Sequence, residues 1–161
     1  MPYFKDTSIR KKIFLEYLNT IYSSKQHLLS FLPEVTRYAT NDTLRLAIQE
    51  NNDDNIKQIA DIKKVFVILK ETYSEKKILA IKLITFDTYK TSIEASASAF
   101  ERDCAILFCL EVIDSIETLY LRTLKNMAKG LHLETLHLQF PYDIAVDNQK
   151  LFDTIHQEMV A

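Results

Sequence analysis

The acidic residues on one apolar helix face are the side chains of this chain best suited to chemistry. Between residues 100 and 129, acids and leucines recur every three or four positions, which is the period of a single helix face. Asp114 and Glu117 lie on this face with leucines on both sides, so both are expected to point into the core. Burying two carboxylates is costly unless cations or hydrogen-bond donors satisfy them. The face comprises Asp103, Leu107, Leu110, Asp114, Glu117, Leu121 and Leu124.

Polar residues also interrupt the apolar stripes of the other long helices predicted below. One row runs from Ala47 to Ile62 with amide and carboxylate side chains between its apolar ends. The charges and amides predicted to meet in the middle of the molecule are Lys25, Asn51, Asp54, Gln58, Asp114 and Glu117, with Asp143, Asp147 or Asn148 in the last helix.

Inward carboxylates from several helices are typical of di-iron and di-manganese bundle proteins. Oxygen ligands suit hard or borderline cations such as manganese and iron. The Asp114–Glu117 pair has the carboxylate-x-x-carboxylate spacing of such a site, although this spacing also occurs on solvated helix faces. The residues that could ligate a metal are Asp54, Asp114, Glu117 and Asp143.

The elements that must position these residues are helices. The chain has 161 residues, of which one is glycine and three are proline, and so few turn formers exclude all-β folds and glycine-rich phosphate loops. Apolar residues at helical spacing predict an all-α, antiparallel four-helix bundle with a short extra helix in the crossover between the second and third bundle helices. The predicted helices cover about residues 8–39, 42–72, 75–95 and 100–129, with a last one from 141 to 159.

Several boundaries follow from single residues. Pro33 should kink or break the first helix, and Gly130 should end the fourth as the residue just past its last turn. Pro141 should occupy the first position of the last helix. Residues 131–140 alternate enough to resemble a strand, although a lone strand is not stable.

Charge and cysteine content limit the partners and the compartment. Twenty basic and 22 acidic residues give a net charge of −2, which argues against a tail that binds nucleic acid and against a basic patch that binds a membrane surface. No apolar run is long enough to span a membrane and no signal peptide is evident. Cys104 and Cys109 are expected to be reduced core residues, and the default location is cytoplasmic. Residues 1–161 are expected to form one domain, with 1–8 a loose extension.

Residues 18–54 and 102–131 resemble the YciE/YciF-type ferritin-like family over most of residues 13–131. The first run matches a Tyr-Ser-x-Glu-x-x-Leu opening, a Leu-Pro segment and an Ala-Thr-x-x-x-Leu turn. The second is similar to the family's third bundle helix. The resemblance implies a ferritin-like bundle, often dimeric, that is associated with stress responses and holds two metal ions between carboxylates.

Carried over residue by residue, this resemblance shows departures from the family pattern. Asp114 and Glu117 match a Glu-x-x-Glu pair, whereas Asn51 stands where the family has His. Asp53 and Asp54 stand at a Glu-Glu pair, Gln58 matches a Gln, and the last-helix Glu-Glu pair falls near Tyr142 and Asp143. Lys25 stands at the first-helix Glu, so an ammonium that offers no lone pair replaces a ligand.

We therefore expect Lys25 to take the place of the metal and to neutralise a buried charge network of Asn51, Asp54, Gln58, Asp114 and Glu117. The alternative is that Lys25 reaches the surface. The first functional hypothesis is a homodimeric structural or interaction protein with a degenerate metal site, no cofactor and no catalytic residue. The second is an iron- or manganese-binding protein with redox or oxidase chemistry, and a third is a helical partner-binding module unrelated to metal.

Overall fold

A computed structural model describes residues 6–95 and 98–161, and every regular element in this part of the chain is a helix, with no strand. Its helices are α1 (Thr7–Tyr38), α2 (Asp42–Leu69), α3 (Leu79–Thr88), α4 (Ala99–Gly130) and α5 (Leu136–Val160), with a π-helix (Tyr89–Glu94) directly after α3. The four long helices and the short crossover helix confirm the predicted fold class. The predicted loose extension lies largely outside the described residues.

The long helices form a ring in which α1 packs on α2 and α4, and α5 packs on the same two. Short connections make consecutive neighbours antiparallel. The connection from α2 to α4 spans residues 70–98 and runs the length of the bundle, because Asp103 near the start of α4 contacts Thr40 and Asn41 at the start of α2. This long crossover is the topology of ferritin-like bundles.

Residues 70–78 form an extended strap across α1 instead of the helix predicted from residue 75. The side chain of Asn19 accepts a hydrogen bond from the Ser74 amide at 2.7 Å. The Ser23 hydroxyl accepts one from the Lys76 amide at 2.9 Å. The strap thus explains why two small polar residues are buried on α1.

α1 continues through Pro33 without a local break, because this proline is exposed and its missing hydrogen bond falls on the solvent side. The predictions for Gly130 and Pro141 are wrong. α4 includes Gly130, and the left-handed residue that ends it is His132, with φ of 56°. The His132 and Leu133 amides bond back to the carbonyls of Lys129 and Ala128, which is a Schellman motif.

The second wrong prediction concerns Pro141, which lies inside α5 instead of at its first position. The helix begins at Leu136 because the turn before the proline carries Leu138, which is 1% exposed and packs in the core. Burial of that side chain offsets the one backbone hydrogen bond that Pro141 cannot make. Residues 131–135 form the connecting turn, and no strand is present there.

The apolar core consists of two separate clusters. One is built around Leu32, Ile48, Leu107 and Phe152, and the other around Phe14, Leu18, Ile62 and Leu124. Between them, a band of polar side chains crosses the interior. The next subsection describes this band, which we name the polar layer.

Candidate functional site

The polar layer is formed by buried side chains from all of the long helices. Its members are Ser24 and Lys25 of α1, Asn51, Asn55 and Gln58 of α2, Asp114 and Glu117 of α4, and Asn148 of α5. Each is at most 7% exposed. Such groups raise the free energy of the folded state unless they satisfy one another, so their contacts determine what the layer can do.

Lys25 is the centre of these contacts. Its Nζ forms an ion pair and hydrogen bond with Glu117 Oε2. The same ammonium donates to Gln58 Oε1 at 2.6 Å, and Gln58 Nε2 in turn donates to the Pro141 carbonyl at 2.8 Å. One chain of polar contacts therefore runs from α4 through α1 and α2 to α5.

Two further side chains fix the surroundings of this ion pair. The Ser24 hydroxyl lies 3.4 Å from Glu117 Oε1, and Asn55 Nδ2 donates to the Lys25 carbonyl at 3.1 Å. Sequence reasoning missed both residues. Asn55 follows Asn51 at i+4 and so shares its face, which is the signal that could have identified it.

Asp114 lies one helical turn from Glu117 and has a different electrostatic environment. Burial raises the pKa of the Asp114 carboxyl well above its ordinary value of 3.8, and the charge of Glu117 raises it further. Lys25 and a hydrogen bond with Asn51 lower that pKa, but less strongly than burial raises it. The Oδ2 atom of Asp114 has no hydrogen-bond partner among the described residues. This environment favours the neutral, protonated acid.

The structure does not bring Asp54 and Asp143 into the layer. Asp54 pairs with the exposed Lys57 at 3.3 Å, because Asn51, Asn55 and Gln58 occupy the inward face of α2. Asp143 is exposed and accepts from Gln139 at 2.7 Å. The predicted network therefore loses Asp54, and two of the four candidate metal ligands lie outside the layer.

Asp103, which belongs to the same face of α4, has a separate task. Its carboxylate accepts from the Thr40 amide at 2.8 Å, the Thr40 hydroxyl at 2.6 Å and the Asn41 amide at 2.8 Å. These hydrogen bonds anchor the turn between α1 and α2 to α4. These contacts satisfy donors that no helix hydrogen bond reaches.

A small cleft leads from the surface to the edge of the layer. It has a volume of about 150 Å³ and lies between α1, α4 and the start of α3. Ser24, Glu117 and Tyr120 are among its lining residues. Of the Lys25–Glu117 ion pair, Glu117 is the member that lines this cleft, although its side chain is only 1% exposed.

The described residues do not fit a two-metal carboxylate centre. Within residues 6–95 and 98–161, no group of three or more His, Cys, Asp or Glu side chains is arranged to hold a metal ion. Two carboxyl groups, Asp114 and Glu117, remain in the layer, and Lys25 brings a positive charge to them. Cys104 and Cys109 are free thiols, as predicted, but only Cys109 lies in the core and Cys104 is partly exposed. Burial raises the pKa of Cys109 to about 11.

The crossover topology and the polar layer between two apolar clusters define a ferritin-like helical bundle. The chain belongs to the family described as a domain of unknown function, DUF892, whose model matches residues 10–139. The sequence-based resemblance to YciE/YciF-type proteins is confirmed.

Two solved structures share the fold over nearly the whole chain. The stress protein YciF of Escherichia coli is 18% identical, with a TM-score of 0.86 and 98% of each chain covered. YcfI of Rhodopseudomonas palustris, described as a candidate structural protein, is 20% identical with a TM-score of 0.77, covering 98% of this chain and 97% of its own. No curated protein gives a significant sequence match. Among the described residues, no helix is long and apolar enough to cross a membrane.

Proposed function

We propose that this protein is a ferritin-like bundle with a structural or interaction role, in which an internal ammonium replaces the metal centre. The single observation that carries this proposal is the contact of Lys25 Nζ with both Glu117 and Gln58 in the interior. A metal ion at the same place would meet the positive charge of the Lys25 ammonium, which offers no lone pair as a ligand.

The charge balance of the layer supports the proposal. Lys25 and Glu117 cancel, and the raised pKa of Asp114 favours its neutral form. The layer is thus neutral without any added cation. A divalent ion would have to displace the ammonium and deprotonate Asp114, and it would find only two carboxyl groups in the layer as ligands.

The similarity to a candidate structural protein supports a structural role, and the similarity to a stress protein supports a role in stress. If the site is degenerate in this way, the function of the protein depends on the surface and the stability of the bundle and not on a metal centre.

Metal loading tests the proposal. The protein is purified without a histidine tag and incubated with Fe(II) under argon or with Mn(II), and bound metal is measured by elemental analysis alongside the melting temperature. We expect less than stoichiometric metal and an unchanged melting temperature. Stoichiometric metal with a raised melting temperature would overturn the proposal and support the redox alternative.

A charge-reversed variant sharpens this experiment. Lys25→Glu places a carboxylate where the ammonium lies, so we expect its melting temperature to fall without metal and to rise when Fe(II) or Mn(II) is added. Lys57→Glu makes the same charge change on the surface of α2, where the lysine is 68% exposed, and serves as the matched control. A Lys25→Glu variant that stays indifferent to metal would show that Lys25 does not occupy a cation position.

A further inference from the structure

The cleft beside the polar layer ends on two buried polar side chains. It lies between α1, α4 and the start of α3 and has a volume of about 150 Å³. Ser24 and Glu117, which line it, are 4 and 1% exposed, so they lie at its inner end, whereas the exposed Lys77 lies at its rim. A few polar groups at the end of a mainly apolar cleft are typical of a small-molecule site.

The walls of the cleft are apolar and held in place. Ile21, Ile78 and Ile81 line it and are 1 to 6% exposed. The Tyr120 ring also lines it and packs edge-to-face on Tyr17, with ring centroids 5.7 Å apart. A cavity of about 150 Å³ holds one benzene ring, and aromatic rings pack favourably against one another. The size and the walls of the cleft therefore fit a single aromatic ring.

The charges around the cleft favour an uncharged ligand. The ammonium groups of Lys77 at the rim and of Lys25, which contacts Glu117, would repel a cation. The Glu117 carboxylate at the inner end would repel an anion. Because Lys25 already neutralises Glu117, any further charge would lie in the interior without a partner.

Glu117 offers a hydrogen-bond acceptor that is weakly used. Its Oε2 atom is bonded to Lys25, whereas its Oε1 atom lies 3.4 Å from the Ser24 hydroxyl. That separation is longer than the 2.5–3.0 Å of an ordinary O–H···O hydrogen bond. A ligand hydroxyl both donates and accepts, so it can donate to Glu117 Oε1 and accept from Ser24.

We propose that this cleft binds a small uncharged phenol, whose ring lies against Tyr120 and the isoleucine walls and whose hydroxyl donates to Glu117. The inference goes beyond the proposed function, because it assigns the bundle a ligand and gives Glu117 the role of a hydrogen-bond acceptor.

The test compares phenol with toluene, which has the same number of heavy atoms and no donor. Titrations followed by two-dimensional ¹H–¹⁵N NMR measure the dissociation constant of each compound and locate it through the amides whose signals shift. We expect saturable binding of phenol, with the largest shifts at residues that line the cleft. Toluene should bind at least about tenfold more weakly, because it makes no hydrogen bond to the carboxylate.

A matched pair of variants tests the location. Ile116 lines the cleft, and Ile116→Trp should fill it and weaken phenol binding about tenfold or more. Leu119 lies on the surface of α4 and is 52% exposed, so Leu119→Trp should leave the dissociation constant within about threefold. Circular dichroism should be unchanged in both variants.

A second variant tests the hydrogen bond and does not depend on the folding of Ile116→Trp. Lys25→Met, Gln58→Met and Glu117→Met together remove the acceptor and leave no orphaned charge. Phenol and toluene should then bind this variant with dissociation constants within about threefold of each other.

Three results would overturn the inference. They are the absence of saturable phenol binding to the wild type up to about 10 mM, equal binding of phenol and toluene to the wild type, and unchanged phenol binding by a folded Ile116→Trp. Metal uptake is measured on the wild type without phenol, so a negative result here leaves the test of the proposed function unaffected.

Discussion

The stability of the Lys25–Glu117 pair depends on both partners being present. Lys25 and Glu117 side chains are 4 and 1% exposed, so neither charge can recover hydration if the other is removed. A buried pair contributes little net stability compared with apolar side chains of the same size, whereas an orphaned buried charge is strongly destabilising.

The Lys25→Met variant should therefore lower the free energy of unfolding by about 3–5 kcal/mol, because it leaves the Glu117 carboxylate buried without a counter-charge. Urea unfolding at neutral pH measures the change. Lys57→Met, which removes an exposed partner of Asp54, is the control and should cost about 0–1 kcal/mol. Equal small effects of both variants would contradict a buried role for Lys25.

The raised pKa of Asp114 should make the stability of the protein depend on pH. The pKa of this carboxyl is higher in the folded protein than its ordinary value of 3.8. Its stabilising contribution is therefore fully present below about pH 4 and is lost as the pH rises through the folded pKa. Asp114→Asn is neutral at every pH and should remove this decline. Urea unfolding from pH 4 to 9 measures the difference between variant and wild type.

His27 makes stability depend on pH in the opposite direction. Because the wild type and Asp114→Asn both contain His27, its effect cancels in the difference between their stabilities. Burial, and then the charge of Lys82, lowers the pKa of His27 below 6.5, so its contribution is lost as the pH falls. A difference between Asp114→Asn and wild type that does not change with pH would contradict the protonation of Asp114 described above.

At the scale of the elements, one side chain of α4 holds the start of α2. Asp103 accepts three hydrogen bonds from residues 40 and 41, and Asn41 also caps α2 through the Leu44 amide at 2.9 Å. The two caps act together, because Asp103 fixes the residue that performs the second one.

The Asp103→Ala variant should lower the free energy of unfolding by about 1–3 kcal/mol, because the three donors of the partly buried turn lose a charged acceptor. Hydrogen exchange should also quicken at the Thr40 and Asn41 amides. Asp87→Ala removes an exposed acid of α3 and should leave both measurements unchanged. Unaltered exchange at residues 40 and 41 in Asp103→Ala would show that Asp103 does not anchor this turn.

At the scale of the whole molecule, the polar layer divides the core into two apolar clusters. A continuous apolar core would need no such matching of charges and amides. The polar layer therefore adds little or nothing to the stability of the bundle. Its presence is better explained by a specific function or by the need to fix one register of the helices.

Replacing the central contacts together tests this interpretation. The triple variant Lys25→Met, Gln58→Met and Glu117→Met keeps side-chain volume and leaves no orphaned charge. We expect it to be as stable as the wild type or more stable by about 1–4 kcal/mol, in contrast to Lys25→Met alone. Urea unfolding measures this, and a triple variant less stable than Lys25→Met alone would show that the layer stabilises the fold.

Individual elements differed in how far the sequence predicted them. The long helices followed from apolar spacing, because each helix buries one continuous face. The ends at Gly130 and Pro141 were mispredicted, since local preferences of about 1–3 kcal/mol competed with burial of Leu138 and with the Schellman turn at His132. The strap over α1 was missed because its hydrogen bonds join residues about 50 positions apart.

The sequence by itself determined the family resemblance, the all-α class and the inward direction of Asp114 and Glu117. The last two depend only on the period of single helices. Only the tertiary structure decided that Lys25 contacts Glu117 and Gln58 while Asp54 turns to Lys57. Rotation of a helix by a fraction of a turn moves a residue from the interior to the surface, and that rotation is set by packing against the neighbouring helices. Side-chain partners across a bundle are therefore a property of the assembled helices.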